Sequence, residues 1–155
     1  MATRPSVLDQ SGHFTRDVAL EHLTRATIGR VAFVVDGQPD VLPVNIAVDD
    51  DGSVVFCTSR HSVLGTLDGA TVALEVDGYD VAGGSGWYVT VAGVAKEITV
   101  PADAASRRLH QLRVDPWAPR PRDRWMAVLP VGITGRRVAR DGGSDAGWFA
   151  GVPAS

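Results

Sequence analysis

The sequence is short of cysteine and lysine, and each shortage excludes a kind of chemistry. Cys57 is the lone cysteine in 155 residues, so an intrachain disulfide framework and a metal site with several cysteine ligands are both excluded. Lys96 is the lone lysine among 15 basic residues. Any anion site must therefore use guanidinium, hydroxyl or backbone donors. The low cysteine content favours a cytoplasmic protein.

The chain also lacks long apolar runs and concentrated charge. No stretch is long and apolar enough to span a membrane, and residues 1–14 lack the apolar centre of a signal peptide. The formal net charge is −3 and the basic residues are scattered, unlike the positive surface of a nucleic-acid-binding protein. His13, His22 and His110 show no metal-ligand spacing. We expect no membrane, nucleic acid or metal, and a small molecule or protein as partner.

The length predicts one domain with a core of its own. We place an N-terminal arm at residues 1–14, the folded domain at 15–140 and a flexible tail at 141–155. The tail is rich in glycine, serine and alanine, a composition that buries little apolar surface.

Residues 28–64 predict three short strands that end in a polar turn. Asp36-Gly37 and Asp51-Gly52 are typical of hairpin turns, because glycine reaches the positive φ angles that such turns need. Thr-Ser-Arg-His-Ser follows at residues 58–62, and a short helix over 62–67 begins there, capped by Ser59 or Ser62. Hydroxyls, a guanidinium and free backbone N–H groups at this turn predict a site for an anion such as phosphate.

The remaining pattern predicts a mainly β protein. Helices are expected at 16–26, capped by Thr15, and at 101–112; further strands are expected at 71–76, 87–95, 125–129 and 133–138. Gly93 is a candidate bulge, segment 78–86 is interpreted as a mobile glycine loop, and the proline-rich arm 115–122 is neither helix nor central strand. About six or seven antiparallel strands with few helices favour a closed or partly closed barrel. Periodicity does not exclude an open sandwich.

Several short motifs occur in an order that resembles one known family. They are Gly29-Arg30-Val31-Ala32, Leu42-Pro43-Val44-Asn45, the turn at 58–62, Gly86-Trp87 with Gly93, and Pro116-Trp117 followed by Trp125 and Ile133-Thr134-Gly135-Arg136-Arg137. In this order they resemble the flavin-binding split β-barrels related to pyridoxamine 5′-phosphate oxidase, over residues 15 to 138. The resemblance implies a Greek-key-like split barrel and a homodimer with a shared FMN site at its interface.

The resemblance also implies which residues bind the cofactor. Arg60, Ser59 and Ser62 would hold the phosphate, and Pro43, Val44 and Asn45 would line the edge of the flavin ring. Trp125 and Arg136 would come from the closing strands, either of the same copy or across the dimer interface. The full predicted set is Arg30, Pro43, Val44, Asn45, Thr58, Ser59, Arg60, Ser62, Trp125 and Arg136. No catalytic side chain is assigned, because the flavin itself accepts and donates hydride.

One departure from the family keeps alternatives open. Val63 stands where many relatives carry a lysine after the strand-three turn, so either FMN binds more weakly, or Arg60 and Arg30 supply the charge, or the cofactor differs. The leading hypothesis is an FMN-dependent oxidoreductase that acts on a small planar acceptor. The alternatives are a deazaflavin-dependent reductase of the same fold and a non-enzymatic dimeric module that binds flavin or haem. Pyridoxamine phosphate is not the expected substrate, because Arg136-Arg137-Val138 stands in place of an Arg-x-His motif.

Some of these residues also have purely structural interpretations. Asn45, amid apolar strand residues, needs a buried partner, which is either a flavin carbonyl or the backbone of a neighbouring strand. Trp87, Trp117 and Trp125 suit a core or a dimer interface as well as a cofactor site. Cys57 lies inside a predicted strand and is interpreted as a small core residue.

Overall fold

The computed structural model describes residues 12–117, 119 and 121–139. Its elements are α1 (Arg16–Arg25), β1 (Ile28–Val35), β2 (Gln38–Val48), β3 (Val54–Thr58), a 3₁₀ turn (Val63–Thr66), β4 (Thr71–Asp80), β5 (Ser85–Glu97), α2 (Ala104–His110) and β6 (Arg124–Ala139). Residues 1–11 of the predicted arm and the predicted tail at 141–155 lie outside the described residues.

The strands close into one antiparallel barrel in the order β1-β2-β3-β6-β5-β4. Each half of the chain contributes three consecutive strands, and the halves join where β1 pairs with β4 and β3 pairs with β6. This non-consecutive pairing is the expected Greek-key-like connection. The mainly β class and the barrel are confirmed, and the open sandwich is excluded.

Side chains along the strands point alternately into the barrel and to its outer surface. In β1, Val31 and Phe33 are buried, whereas Ile28, Arg30 and Val34 are exposed. The interior holds large apolar side chains, among them Phe56, Leu74, Val89 and Met126. Each such burial contributes about 1.5–3 kcal/mol, so the interior supplies most of the driving force for folding.

Helix α1 covers one end of the barrel with Ala19 and Leu23, both buried. Its His22 lies between two aromatic rings, 4.8 Å from the ring centre of Phe14 and 4.3 Å from that of Trp87. Burial lowers the pKa of His22 below its usual value. Thr15 occupies the cap position as predicted, but its side chain makes no capping hydrogen bond within the described part of the chain.

Helix α2 covers the outer face of β3 and β6. Leu109 and Ile98 pack there against Val55 and Ala127 in a second apolar cluster. The helix is shorter than predicted, because Asp103 caps it by accepting from the backbone N–H of Ser106 at 2.7 Å. Lys96 also donates to this carboxylate at 2.8 Å. These contacts hold the pKa of Asp103 well below its usual range.

Two other expectations are wrong in detail. The closing strands predicted at 125–129 and 133–138 form one continuous strand, β6, because the pairing shifts between Ala92 and Gly93 opposite Pro130. That shift leaves Val131 as an extra, exposed residue, so Pro130 is accommodated at a bulge. The glycine-rich segment 78–86 is mostly paired strand with a short turn at 81–84 rather than a loop.

The bulge predicts different roles for two nearby glycines. A Cβ at Gly93 would overlap the carbonyl oxygen of Leu129, whereas a Cβ at Gly132 would meet nothing within 4 Å. Gly93→Ala should therefore lower the free energy of unfolding by about 1–3 kcal/mol, because backbone must move to admit the methyl group. Gly132→Ala is the matched control and should change it little. Urea denaturation measures both, and equal effects would contradict this account of the bulge.

Candidate functional site

A groove of about 620 Å³ lies on the outer surface of the barrel, where β2 and β3 meet the turn after β3. It is lined by Ile28, Leu42, Pro43, Val44, Asn45, Cys57, Thr58, Ser59, His61, Ser62, Leu64, Pro116, Trp117 and Arg122. Its size is that of a site for a small organic ligand or cofactor. The groove brings together Pro43, Val44, Asn45, Thr58, Ser59 and Ser62 from the predicted set.

One wall of the groove is the β2 segment that contains Pro43 and Asn45. In the strand pairing, Pro43 is opposite Arg30 and Asn45 is opposite Ile28. The Oδ1 atom of Asn45 accepts a hydrogen bond from the backbone N–H of Trp117 at 3.0 Å. The protein partner of Asn45 is therefore the backbone of the 115–122 arm rather than of a neighbouring strand. Its amide NH₂ group can still donate to a ligand.

The opposite end of the groove is the hydroxyl-rich turn after β3. The Oγ atom of Ser59 accepts from the backbone N–H of His61 at 3.1 Å, and that of Ser62 accepts from the N–H of Leu64 at 3.3 Å. Ser62 is thus the cap of the 3₁₀ turn. Each hydroxyl keeps its own hydrogen for donation to a ligand. Gly65 permits this tight turn, since a Cβ there would lie 2.8 Å from the carbonyl oxygen of Ser59.

Two predicted anion-binding arginines do not line the groove. Arg60 donates from its backbone N–H at 2.8 Å, and from its guanidinium, to the carboxylate of Asp123. This pair lowers the pKa of Asp123 and joins the turn to the arm that leads into β6. Arg30 is paired with Glu75 at 3.2 Å and with Asp77 at 3.1 Å.

The two residues predicted from the closing strands also lie outside the groove lining. Trp125 is opposite Cys57 in the β3–β6 pairing and packs on His110 with ring centres 4.4 Å apart. It therefore forms part of the cluster beneath α2. Arg136 is opposite Tyr88 in the β5–β6 pairing.

Arg122 lines the groove and was missed in the sequence. Its Nε atom is buried and finds no hydrogen-bond partner within the described residues. Buried donors in native proteins are normally satisfied, so an unsatisfied one in a groove indicates a ligand or water position. The sequence signal was slight, because Arg122 falls in the proline-rich arm between the motifs that carry the family resemblance.

Cys57 is buried, as expected, and it also lines the groove. Burial raises the pKa of its thiol to about 11, and the nearby positive charge of Arg122 opposes part of that rise. The thiol is therefore neutral near pH 7, which makes it a poor nucleophile.

The fold defines the class of protein, a split β-barrel, and its surface carries a groove of the size of a small organic ligand. The chain belongs to the pyridoxamine 5′-phosphate oxidase family, whose sequence model matches residues 15–137. Among the described residues there is no helix long and apolar enough to cross a membrane, and no group of three or more His, Cys, Asp or Glu is placed to hold a metal.

Individual relatives support this membership. An uncharacterised protein of Mycobacterium tuberculosis is 34% identical over 132 residues, which is 81% of this chain and 84% of the relative. An FAD-binding protein from Mycobacterium smegmatis is 29% identical with a TM-score of 0.66, covering 81% of this chain and 98% of its own. An FAD- and haem-binding protein from the same species, 18% identical, shares the fold with a TM-score of 0.61 over 87% of this chain and 77% of its own.

The raised pKa of Cys57 predicts a shifted pH profile for thiol alkylation. Only the thiolate reacts, so the rate with iodoacetamide should rise towards a midpoint near pH 11 in the folded protein. In urea the same thiol should show its ordinary midpoint, about two pH units lower. Circular dichroism at each pH would verify folding, and Cys57→Ser is the blank. Identical profiles in buffer and in urea would contradict the burial of the thiol.

Proposed function

We propose that the groove binds FMN and that the protein is an FMN-dependent oxidoreductase acting on a small planar acceptor. The observation that carries the proposal is the composition of the groove. An apolar strand wall at Pro43 and Val44 stands beside an end rich in hydroxyls and one arginine. A flavin nucleotide has the same two parts, a planar ring and a phosphate. The FAD-binding relative from Mycobacterium smegmatis supports a flavin ligand.

The residues of the groove fit such a ligand. The ring would lie along Ile28 and Pro43, with the Asn45 amide as a hydrogen-bond donor at its edge. Ser59 and Ser62 would donate their hydroxyl hydrogens to phosphate oxygens. When bound, the flavin supplies hydride transfer, and the protein orients the ring and excludes water from one of its faces.

Val63 favours a second candidate, a deazaflavin reductase of the same fold. The side chain is half-buried and packs against the main core, and it does not line the groove. The charge that the family lysine would supply must therefore come from another residue. A cofactor that relies less on that lysine would fit this turn as well.

We place the planar substrate in a recess next to the groove. The recess has a volume of about 340 Å³ and is lined by residues that include His22, Arg25, Asp77 and Trp87. Ile28 lines both the recess and the groove, so the two are adjacent. A further pocket of about 460 Å³ lies at segment 78–86 and includes Tyr79 and Tyr88.

We further propose a homodimer in which a second copy covers the outer face of β1 and β2. Val34 and Val41 are 61% and 54% exposed there, and Val41 is opposite Ala32 in the strand pairing. Large apolar side chains exposed on one face of a sheet are typical of an interaction surface. Ile28, at 37% exposure, lies on the same face beyond Arg30 and also lines the groove, so the partner would also cover the ligand.

Cofactor titration tests the proposed function. Added FMN should bind saturably with quenched flavin fluorescence, and the bound flavin, once reduced, should be reoxidised by a quinone. Arg25→Ala, whose side chain lines the recess and not the groove, is the control and should bind FMN as the unaltered protein does. If the protein bound deazaflavin but did not bind FMN, the result would support the second candidate. A Soret band on adding haem, with no flavin binding, would indicate the non-enzymatic haem module.

Light scattering tests the dimer. The protein should show twice the monomer mass at micromolar concentration. Val41→Glu should give monomers and weaken FMN binding, because it places a charge in the proposed interface. Val100→Glu is the matched control, since Val100 is 85% exposed and lies on the connection between β5 and α2. A monomeric unaltered protein that still bound FMN would remove the shared site from the proposal.

A further inference from the structure

We propose that Arg122, and not Arg60, binds the anionic end of the ligand, and that the Arg60–Asp123 ion pair positions it. The inference rests on the proposed function, because it concerns the same groove. The chemical group recognised is a phosphate, either the monoester of FMN or the diphosphate of FAD. The family resemblance assigned the charged contact with the phosphate to Arg60, in the turn after β3, and the proposal assigns it to Arg122 instead.

Within the described residues, the arginines near Arg122 are in ion pairs with carboxylates, and Arg122 is not. Arg30 is paired with Glu75 and Asp77, Arg60 with Asp123, and Arg124 with Glu97. Arg122 has no carboxylate within 4.0 Å among the residues that the structure describes. Among the described residues that line the groove, Arg122 therefore carries a positive charge that no carboxylate neutralises, and an anion would be attracted to it.

The buried Nε atom gives the second line of argument. A buried N–H group without an acceptor is costly, and an anionic oxygen is the acceptor that would relieve that cost most. The planar guanidinium can donate two parallel hydrogen bonds to a phosphate. Thr58, Ser59 and Ser62 line the same groove and carry further donors. A guanidinium with three hydroxyls makes up a donor set for a phosphate without any lysine.

The Arg60–Asp123 pair fixes the position of this arginine. Asp123 is the next residue after Arg122, and its carboxylate holds both the backbone N–H and the guanidinium of Arg60. The pair therefore connects the turn that carries Ser59 and Ser62 to the arm that carries Arg122. Because the Arg60 charge is used in this connection, its effect on the ligand is through position.

Comparison of FMN with riboflavin isolates the phosphate contact, because the two differ only in that group. Arg122→Ala should weaken FMN binding roughly tenfold to a hundredfold and leave riboflavin binding within about twofold. Arg122→Lys should restore part of the loss, since it returns the charge without the planar fork. Arg107→Ala, on the exposed side of α2, is the control and should alter neither affinity. FAD, titrated in parallel, shows whether the site prefers a monoester or a diphosphate.

The positioning pair has its own signature. Arg60→Ala and Asp123→Ala should each reduce the preference for FMN over riboflavin by roughly threefold to tenfold, and the double variant should be no worse than either one. A purely structural role would lower both affinities together and leave the preference unchanged. Loss of the preference in Arg60→Ala, with the preference intact in Arg122→Ala, would overturn the proposal.

Inorganic phosphate separates failure of this inference from failure of the proposed function. At constant ionic strength, phosphate should raise the melting temperature of the unaltered protein, and Arg122→Ala should abolish that rise. If neither flavin binds but this response is seen, the flavin function fails and the anion site remains. If flavin binds with an intact preference in Arg122→Ala, the function remains and the Arg122 assignment fails. An absent response to every ligand would overturn both.

Discussion

The site depends on the antiparallel pairing of β3 with β6, which closes the barrel. Cys57 lies opposite Trp125 in that pairing, so the turn after β3 is placed directly beside the arm before β6. These two segments are more than 50 residues apart in the chain, and no local interaction would bring them together. The pairing creates one side of the groove, and the β1–β2 hairpin supplies the other. Any change that shifts this register would separate the hydroxyls from Arg122.

Electrostatics then distinguishes residues that hold the fold from residues available to a ligand. Arg108 is paired with Asp49 at 2.6 Å and fixes α2 to the β2–β3 turn, while Lys96 and Asp103 fix the start of α2. These exposed pairs add little stability individually, but they hold α2 in its position on the barrel. Arg122 has no such pair within the described residues, and it lines the groove.

Sequence reasoning was most successful where local chemistry decides structure. Hairpin turns at Asp36-Gly37 and Asp51-Gly52, the register shift at Gly93 and the cap at Ser62 follow from properties of single residues. It failed where a distant partner decides. Pro130 predicts a break until the register shift opposite it is known, and the pairing of Arg60 with Asp123, which is 63 residues away, is not visible in the sequence. The Pro43–Asn45 wall was found through family resemblance, because hydrophobic alternation alone does not show which outward face forms a groove.

Val63 belongs to the residues that hold the fold rather than to those that face the groove. Val63 begins the 3₁₀ turn and packs inward with Leu64, so this turn contributes to the core as well as to the groove. A lysine there would have to leave the core to reach a ligand, whereas Arg122 approaches the groove from the opposite segment and leaves the core intact. In the proposed site, a charge on the arm instead of the turn would keep an anion-binding end in the groove. The anion-binding end of the groove would then also depend on the position of the arm. The Asn45–Trp117 contact holds the arm near Trp117, and the Arg60–Asp123 contact holds it where it joins β6.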